Sequence, residues 1–549
     1  MDPDEPTHFN VILVGTGLVE SIVAAALAKA GYSVLQLDKN NYYGDEWASL
    51  SFEELVTWHR TRPAAAAATT VEPCLTSSST SPRQELERLS NRFNLSLRPC
   101  LLTATGQAID VLIRSKVSSY LSFGLLGGIG LCRSSSNETS SIRVDRVPSS
   151  KADVFNDPNL NASVTQYLSQ QFKLSNDIID SLAYALCLAS SPDDPALPAM
   201  QRLRILIHSI GRFGPSPYLV GHYGGAGDLV GAFSRICAVW GGGQILGRPL
   251  SPIEFDVEPG KPVLQTQSPF VKLNDLPTKP PLPGLSQQDI GRTTTLGIPV
   301  RLDPQSNEKT MLTADCIGVS KSHLQQVLPD HVNKIQDVRQ TVSVRAIIIF
   351  SQPIEFPKSV TTSLSQEESQ VEPEDALLDS NLFVFGPGLF DQRLGTVTVL
   401  QVGSGTFACP VGHYVLYLQS PLQNQSLDID VDAETLLKPY VNALVSDLTT
   451  SKSSSEASVD VIEWAAYDFE RSTGDTELIN KENLTSNLFV IPSVKGLGTT
   501  ASLTQNLDEA VECAERMFWN IVGIKGKQEG VEFFATSQGR QDDDEDGEE

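Results

Sequence analysis

A strand, a tight glycine turn and a helix stand in immediate succession near the start of this sequence, and no other feature constrains the fold as much. Residues 9–14 form an apolar run of buried-strand character, Gly15-Thr16-Gly17 follows, a helix is expected over 18–30, and 33–37 reads as a second strand closed by Asp38. This is the βαβ opening of a dinucleotide-binding α/β fold, and Asp38 stands 23 residues after Gly15, where such folds keep a ribose-holding acid. One position departs from that fingerprint. The third glycine, which permits close helix–strand packing at the pyrophosphate, is Glu20. A glutamate adds bulk and negative charge beside a site meant for a dianion, and Glu20 is itself a candidate anion for the helix N-terminus. The pattern therefore points to the fold and away from a bound FAD or NAD; a flavin-dependent oxidoreductase with a tolerated substitution is the alternative.

A second glycine-rich turn, Gly224-Gly225-Ala226-Gly227, leads into a helix expected over 228–240. Leu229, Phe233, Ile236 and Trp240 make one apolar stripe along it. Asp228 and Arg235 are nearly eclipsed on another flank, with Gly231 and Ala232 between them keeping that flank low. A charged pair framing small residues can seat another protein; a solvated helix face with an N-cap Asp gives the same pattern. Tyr42 and Tyr43 pose the same choice between docking and burial.

Composition removes whole classes of function. A net charge of −25 over 549 residues is incompatible with phosphate neutralisation along a nucleic acid and gains nothing from an anionic membrane surface. The eight cysteines are sparse and form no CxxC pair, which fits a reducing compartment, and the seven histidines show no zinc-ligand spacing. No signal peptide, membrane span or prenylation box is read, so a cytosolic chain is expected. There is no Gly-x-Ser-x-Gly elbow, Walker A loop or HExxH, and so no evident catalytic centre.

Further along, 157–210 carries helical periodicity, strands are expected at 344–350, 396–402 and 487–491, and a last helix at 507–521. An alanine run followed by a Ser/Thr run over 61–81, a proline-rich stretch over 259–297 and an acidic, serine-rich stretch over 361–379 read as insertions, and the tail from 542 as disordered.

Taken together, these motifs resemble one family. The 11–21 segment Val-Ile-Leu-Val-Gly-Thr-Gly-Leu-Val-Glu-Ser, the 37–44 segment Leu-Asp-Lys-Asn-Asn-Tyr-Tyr-Gly, the 212–219 segment Arg-Phe-Gly-Pro-Ser-Pro-Tyr-Leu, the 223–229 segment Tyr-Gly-Gly-Ala-Gly-Asp-Leu and Arg235 are similar to the Rab GDP-dissociation inhibitor and Rab escort protein family. Glu at the third-glycine position is usual there, and the flavoprotein-like fold binds no flavin. The 47–52 segment Trp-Ala-Ser-Leu-Ser-Phe and the 150–155 segment Ser-Lys-Ala-Asp-Val-Phe look like the escort branch, as do the insertions and acidic tail.

The resemblance implies an α/β, flavoprotein-like, multisheet large domain (1–111 and 213–525, with insertions at 61–83, 259–297 and 361–379), a smaller α-helical domain (112–212) and an acidic disordered tail (526–549). It implies a non-catalytic accessory subunit, component A of protein geranylgeranyltransferase type II. Such a protein binds newly made, GDP-loaded Rab GTPases, presents them to the transferase α/β heterodimer, shields the attached geranylgeranyl lipid and delivers the Rab in transient contact with a membrane. No cofactor, metal or nucleic acid is implied. The Rab-binding platform falls on Tyr43, Asp228 and Arg235; the family acid is usually Glu, so Asp228 is shorter by one methylene. Gly15, Gly17, Glu20 and Asp38 form a vestigial dinucleotide loop. Leu182 and Leu186 are candidates for the lipid pocket, Leu324 and Arg339 for transferase docking. A dissociation inhibitor that extracts and recycles prenylated Rabs is the nearest alternative.

Overall fold

The computed structural model describes residues 6–61, 69–71, 82–134, 142–147, 163–260, 295–303, 305, 307–329, 340–354, 380–423, 431–449, 462–473, 487–492, 494, 499–528 and 530–534. Most of the 259–297 insertion, all of 361–379 and the tail from 535 lie outside the described residues.

The expected βαβ opening is present. Strand His8–Val14 pairs in parallel with Val34–Leu37 on one side and with Thr310–Val319 on the other, and Gly243–Ile245 extends the sheet beyond Val34–Leu37. The outer edge of Thr310–Val319 is shared: its first half pairs antiparallel with Leu296–Val300, its last residues parallel with Leu488–Val490. Val11 to Val14 are wholly buried, as a continuous apolar run requires in a sheet covered on both faces. One cover is the helix Leu18–Lys29, buried from Leu18 to Ala28. Its alanines allow close approach of the helices Ala226–Val239 and Ser502–Gln528. The last helix begins before the expected residue 507, and its run is broken at Gly523, whose φ of 72° is left-handed. Beyond it, Phe533 and Phe534 return to the same core against Phe518 and Phe233.

A second sheet has eight strands in the order Thr69–Val71, Ile462–Thr473, Gln340–Phe350, Tyr414–Pro421, Val397–Val402, Ser380–Phe385, Gly128–Ser134, Ile142–Arg146. Thr69–Val71 lies inside the stretch expected to be an insertion; this β-prone Thr-Thr-Val triplet pairs with the Ile462–Thr473 strand at Ala465 to Tyr467. Helix Ala433–Thr449 covers one face of the sheet. The other face meets Phe52–Thr61 and the helical segment made of Val164–Phe172, Asn176–Asp180, the π-helical Ser181–Leu186 and Ala196–Ser209. Helical character within 112–212 is thus concentrated after Val164, while Gly128–Ser134 and Ile142–Arg146 are sheet strands. A small antiparallel sheet of Leu101–Thr103, Tyr218–Gly221 and Phe123–Leu125 stands between the two halves. The chain is a mixed α/β, multisheet protein, as its motifs led one to expect.

Candidate functional site

The glycine turn sits at the carboxyl end of the central strand, where open α/β sheets place their ligands. Its geometry is closed from within. Gly15 has a φ of 119°, and a Cβ there would stand 2.7 Å from Ser320 Oγ. A Cβ at Gly17 would collide with the Glu20 carboxyl, which folds back over the turn. Glu20 is 7 % exposed, and burial, with Asp45, Glu46 and Asp38 nearby, pushes its pKa up to about 8. The sequence offered Glu20 as an anion for the helix N-terminus; in the fold its carboxyl is buried beside other acids, which favours the protonated form.

Asp38 is equally committed. Oδ2 accepts hydrogen bonds from the Thr16 N–H at 2.9 Å and the Thr16 hydroxyl at 2.7 Å. Oδ1 accepts from the Asn40 N–H at 2.9 Å and faces His323 Nε2 at 3.2 Å. Burial alone would raise the Asp38 pKa; His323, the Asn40 N–H and Thr16 outweigh it and hold it below its ordinary value. The acid that would take a ribose is therefore used up internally, and the space beside the turn holds a glutamate. These residues do not fit a dinucleotide.

The same network positions a tyrosine. Thr16 Oγ accepts from the Gly44 N–H at 3.2 Å, and Gly44, at a φ of 104°, turns the chain directly after Tyr43. Tyr43 is 40 % exposed, whereas Tyr42 is half-buried and packs on the core. The segment that follows is pressed against the start of helix Ala226–Val239: Ser49 Oγ donates to the Gly224 carbonyl at 3.1 Å, and a Cβ at Gly224 or Gly227 would collide with Ser49.

On that helix, Leu229, Phe233 and Ile236 are buried as the apolar stripe requires, with Trp240 partly buried. Gly231 is open, but Ala232 is buried, so the low strip between the charges is narrower than its sequence indicated. Asp228 is half-buried and burial pushes its pKa up to about 6. Arg235 is exposed, with its guanidinium 4.5 Å above the ring of Tyr120, itself 40 % exposed. A perturbed acid and a stacked arginine thus stand two turns apart on the open flank of a helix whose other face is core.

Sequence reasoning missed the aromatic residues of this face. Tyr223 and Phe407 stack with centroids 4.9 Å apart and planes 9° apart, and remain 46 % and 48 % exposed. Tyr223 belongs to a quoted motif, but no spacing rule links it to Phe407, and the pairing exists only in the fold. Elsewhere, Leu182 and Leu186 lie on the π-helical turn, partly buried against the second core. Leu324 is 4 % exposed, enclosed among Ile253, Val327 and Leu250, so its expected transferase contact is corrected: the apolar side chain completes a core and offers no docking surface. Arg339 lies outside the described residues. Among the described residues no group of His, Cys, Asp and Glu is placed to hold a metal ion, and no helix is long and apolar enough to cross a membrane.

Comparison with known proteins bears on the same segments. The family model for GDP dissociation inhibitor (GDI) matches residues 4–150 and 142–275. The Rab proteins geranylgeranyltransferase component A of Drosophila melanogaster is 30% identical over 303 residues, covering 46% of this chain and 55% of that protein. The Rab GDP-dissociation inhibitor of Saccharomyces cerevisiae is 26% identical over 289 residues, covering 46% of this chain and 59% of that protein. The match spans little more than half the length of these curated relatives. Among solved structures, Rab GDI from Plasmodium falciparum superposes with a TM-score of 0.58 at 18% identity, over 94% of this chain and 98% of that one, which establishes likeness of fold. Through its residues 4–275 the chain belongs to the GDI family.

Proposed function

We propose that the chain is a Rab escort protein: a non-catalytic subunit that binds newly made, GDP-bound Rab GTPases, presents them to the Rab geranylgeranyltransferase α/β heterodimer and carries the prenylated product through the cytosol to a membrane. The observation that carries this reading is the flank of helix Ala226–Val239, where half-buried Asp228 and exposed Arg235 stand off the apolar stripe beside a segment that holds Tyr43 outward. A folded GTPase surface with one cation and one anion at matching spacing would satisfy both charges. The names of relatives in Drosophila and yeast support a Rab partner. The partly buried π-helical turn around Leu182 and Leu186 is the proposed lipid slot, within a lipid-binding and docking domain proposed for 112–212.

A Rab GDP-dissociation inhibitor is the second reading, favoured by the yeast relative that bears that name at nearly the same identity. It uses the same platform and differs in the fate of the bound Rab, which is recycled rather than prenylated. A flavin enzyme is disfavoured by the commitments of Glu20 and Asp38.

The platform is tested by Arg235→Ala. Arg235 is off the apolar stripe, so the variant is expected to fold normally and to bind a GDP-loaded Rab about tenfold or more weakly. Unchanged affinity, measured by calorimetry, contradicts the platform.

A further inference from the structure

Four contacts lead from Arg235 to an aromatic ridge that lies outside the platform residues. The Arg235 guanidinium rests on Tyr120. Two residues on, Ser122 Oγ is 2.8 Å from His222 Nδ1. The His222 ring meets Phe407 edge-on at 5.3 Å, and Phe407 stacks flat on Tyr223. Tyr223 is in turn followed by the glycines that abut Ser49, and so by the Tyr43 segment. Three separate stretches of chain thus build one continuous face.

The ridge is held in an unfavourable conformation. Tyr223 has a φ of 51° and Phe407 a φ of 55°, left-handed values that bulky side chains rarely adopt. The surroundings enforce both: the Tyr223 N–H donates to the Thr406 carbonyl at 3.0 Å, the Asn94 Nδ2 donates to the Phe407 carbonyl at 2.8 Å, and the Asn94 N–H donates to the Ala408 carbonyl at 2.9 Å. Backbone cost of this kind persists where structure over-determines it, and it clusters at functional sites. What it achieves here is to push two rings outward, nearly half exposed, rather than into a core. Arg235 reaches them through Tyr120, Ser122 and His222. An apolar, rigid aromatic centre with charges at its margin is the anatomy of a protein interface. Burial also holds the His222 pKa below its ordinary value.

We propose that the Tyr223–Phe407 stack is the apolar anchor of the docking face and takes an apolar side chain from the same GTPase whose charges meet Asp228 and Arg235. The proposal rests on the GTPase-docking reading above and names the residues that hold the partner once its charges are in register. An apolar occupant follows from the stack itself: two flat, half-exposed rings favour desolvated contact, and continuity with Arg235 places that contact inside one partner footprint.

The full-length chain and three variants are titrated with GDP-loaded Rab GTPases at low and high salt. Phe407→Asn removes the ring but keeps a residue that tolerates the left-handed backbone, so the Asn94 contacts survive. It is expected to weaken binding about tenfold or more, with the salt dependence of the unaltered chain. Tyr223→Asn removes the other ring and serves should Phe407→Asn lower the thermal midpoint; it is expected to weaken binding similarly. Arg235→Ala weakens binding and flattens the salt dependence. If Arg235→Ala weakens binding while both ring variants bind as the unaltered chain does, the anchor is overturned and the docking reading stands. If the unaltered chain binds no Rab, or Arg235→Ala has no effect, the docking reading falls and takes the anchor with it.

Discussion

Asp38 holds Thr16 twice, through its backbone N–H at 2.9 Å and its hydroxyl at 2.7 Å, and Thr16 in turn receives the N–H of the residue after Tyr43. The glycine turn is thereby tied to the mount of an exposed tyrosine. Thr16→Val keeps the shape and removes the hydroxyl, leaving the Gly44 N–H without its acceptor, at a cost of about 1–3 kcal/mol. Because Asp38 is held below its ordinary value, its contribution to stability is present above the unfolded carboxyl value of about 4 and is lost as pH falls through the lower folded value. Thermal midpoints of the unaltered chain are expected to drop in that acidic window, and Asp38→Asn to be less stable at neutral pH with a flatter acid limb. Identical acid limbs contradict the network.

Glu20 has the opposite sign. Its folded value, about 8, lies above its ordinary 4.5, so its protonated form favours folding below the lower value and stability erodes as pH rises toward the higher one. Glu20→Gln mimics the neutral form. It is expected to raise the thermal midpoint by about 3 °C or more near pH 9 and to change it little near pH 5. A variant destabilised at both pH values would show that the carboxyl is charged in the fold.

Asp228 gives binding a pH dependence. With its value near 6, the carboxylate is available at pH 7.5 and largely lost at pH 5, so Rab affinity is expected to fall by up to about tenfold between those pH values. In Asp228→Asn the affinity is lower at pH 7.5 and nearly level across that range, which separates Asp228 from His222. Equal slopes in the two proteins would remove Asp228 from the interface.

Leu186→Ala probes the lipid slot. If Leu186 lines it, affinity for a geranylgeranylated Rab falls about tenfold or more, since a leucine side chain contributes on the order of 1.5–3 kcal/mol when fully buried, and affinity for the unmodified Rab holds. Equal loss for both forms would place Leu186 in ordinary core packing.

What the sequence made legible is local. The His8–Val14 strand, its turn and the Leu18–Lys29 helix follow from a period of side chains and from glycine chemistry within one stretch, and Asp228 and Arg235 share a flank by helical geometry alone. What it hid is tertiary. The Glu20 carboxyl is pushed toward its protonated form by burial, with Asp45, Glu46 and Asp38 adding to the effect. Leu324 is enclosed by residues distant in sequence, and Ala232 is covered although the helical wheel leaves it open. The Tyr223–Phe407 stack requires the second sheet to deliver its loop to the start of the Ala226–Val239 helix, an event without any signature in spacing.

A platform that serves prenylation must support lipid transfer in a reconstituted reaction. Purified chain, a GDP-loaded unmodified Rab, the transferase heterodimer and geranylgeranyl diphosphate are combined, and lipid transfer to the Rab is followed by mass spectrometry. Transfer is expected to depend on the chain and to be reduced by Arg235→Ala. Absence of transfer, together with efficient extraction of prenylated Rab from membranes by the same protein, would contradict the escort role and establish the recycling role instead.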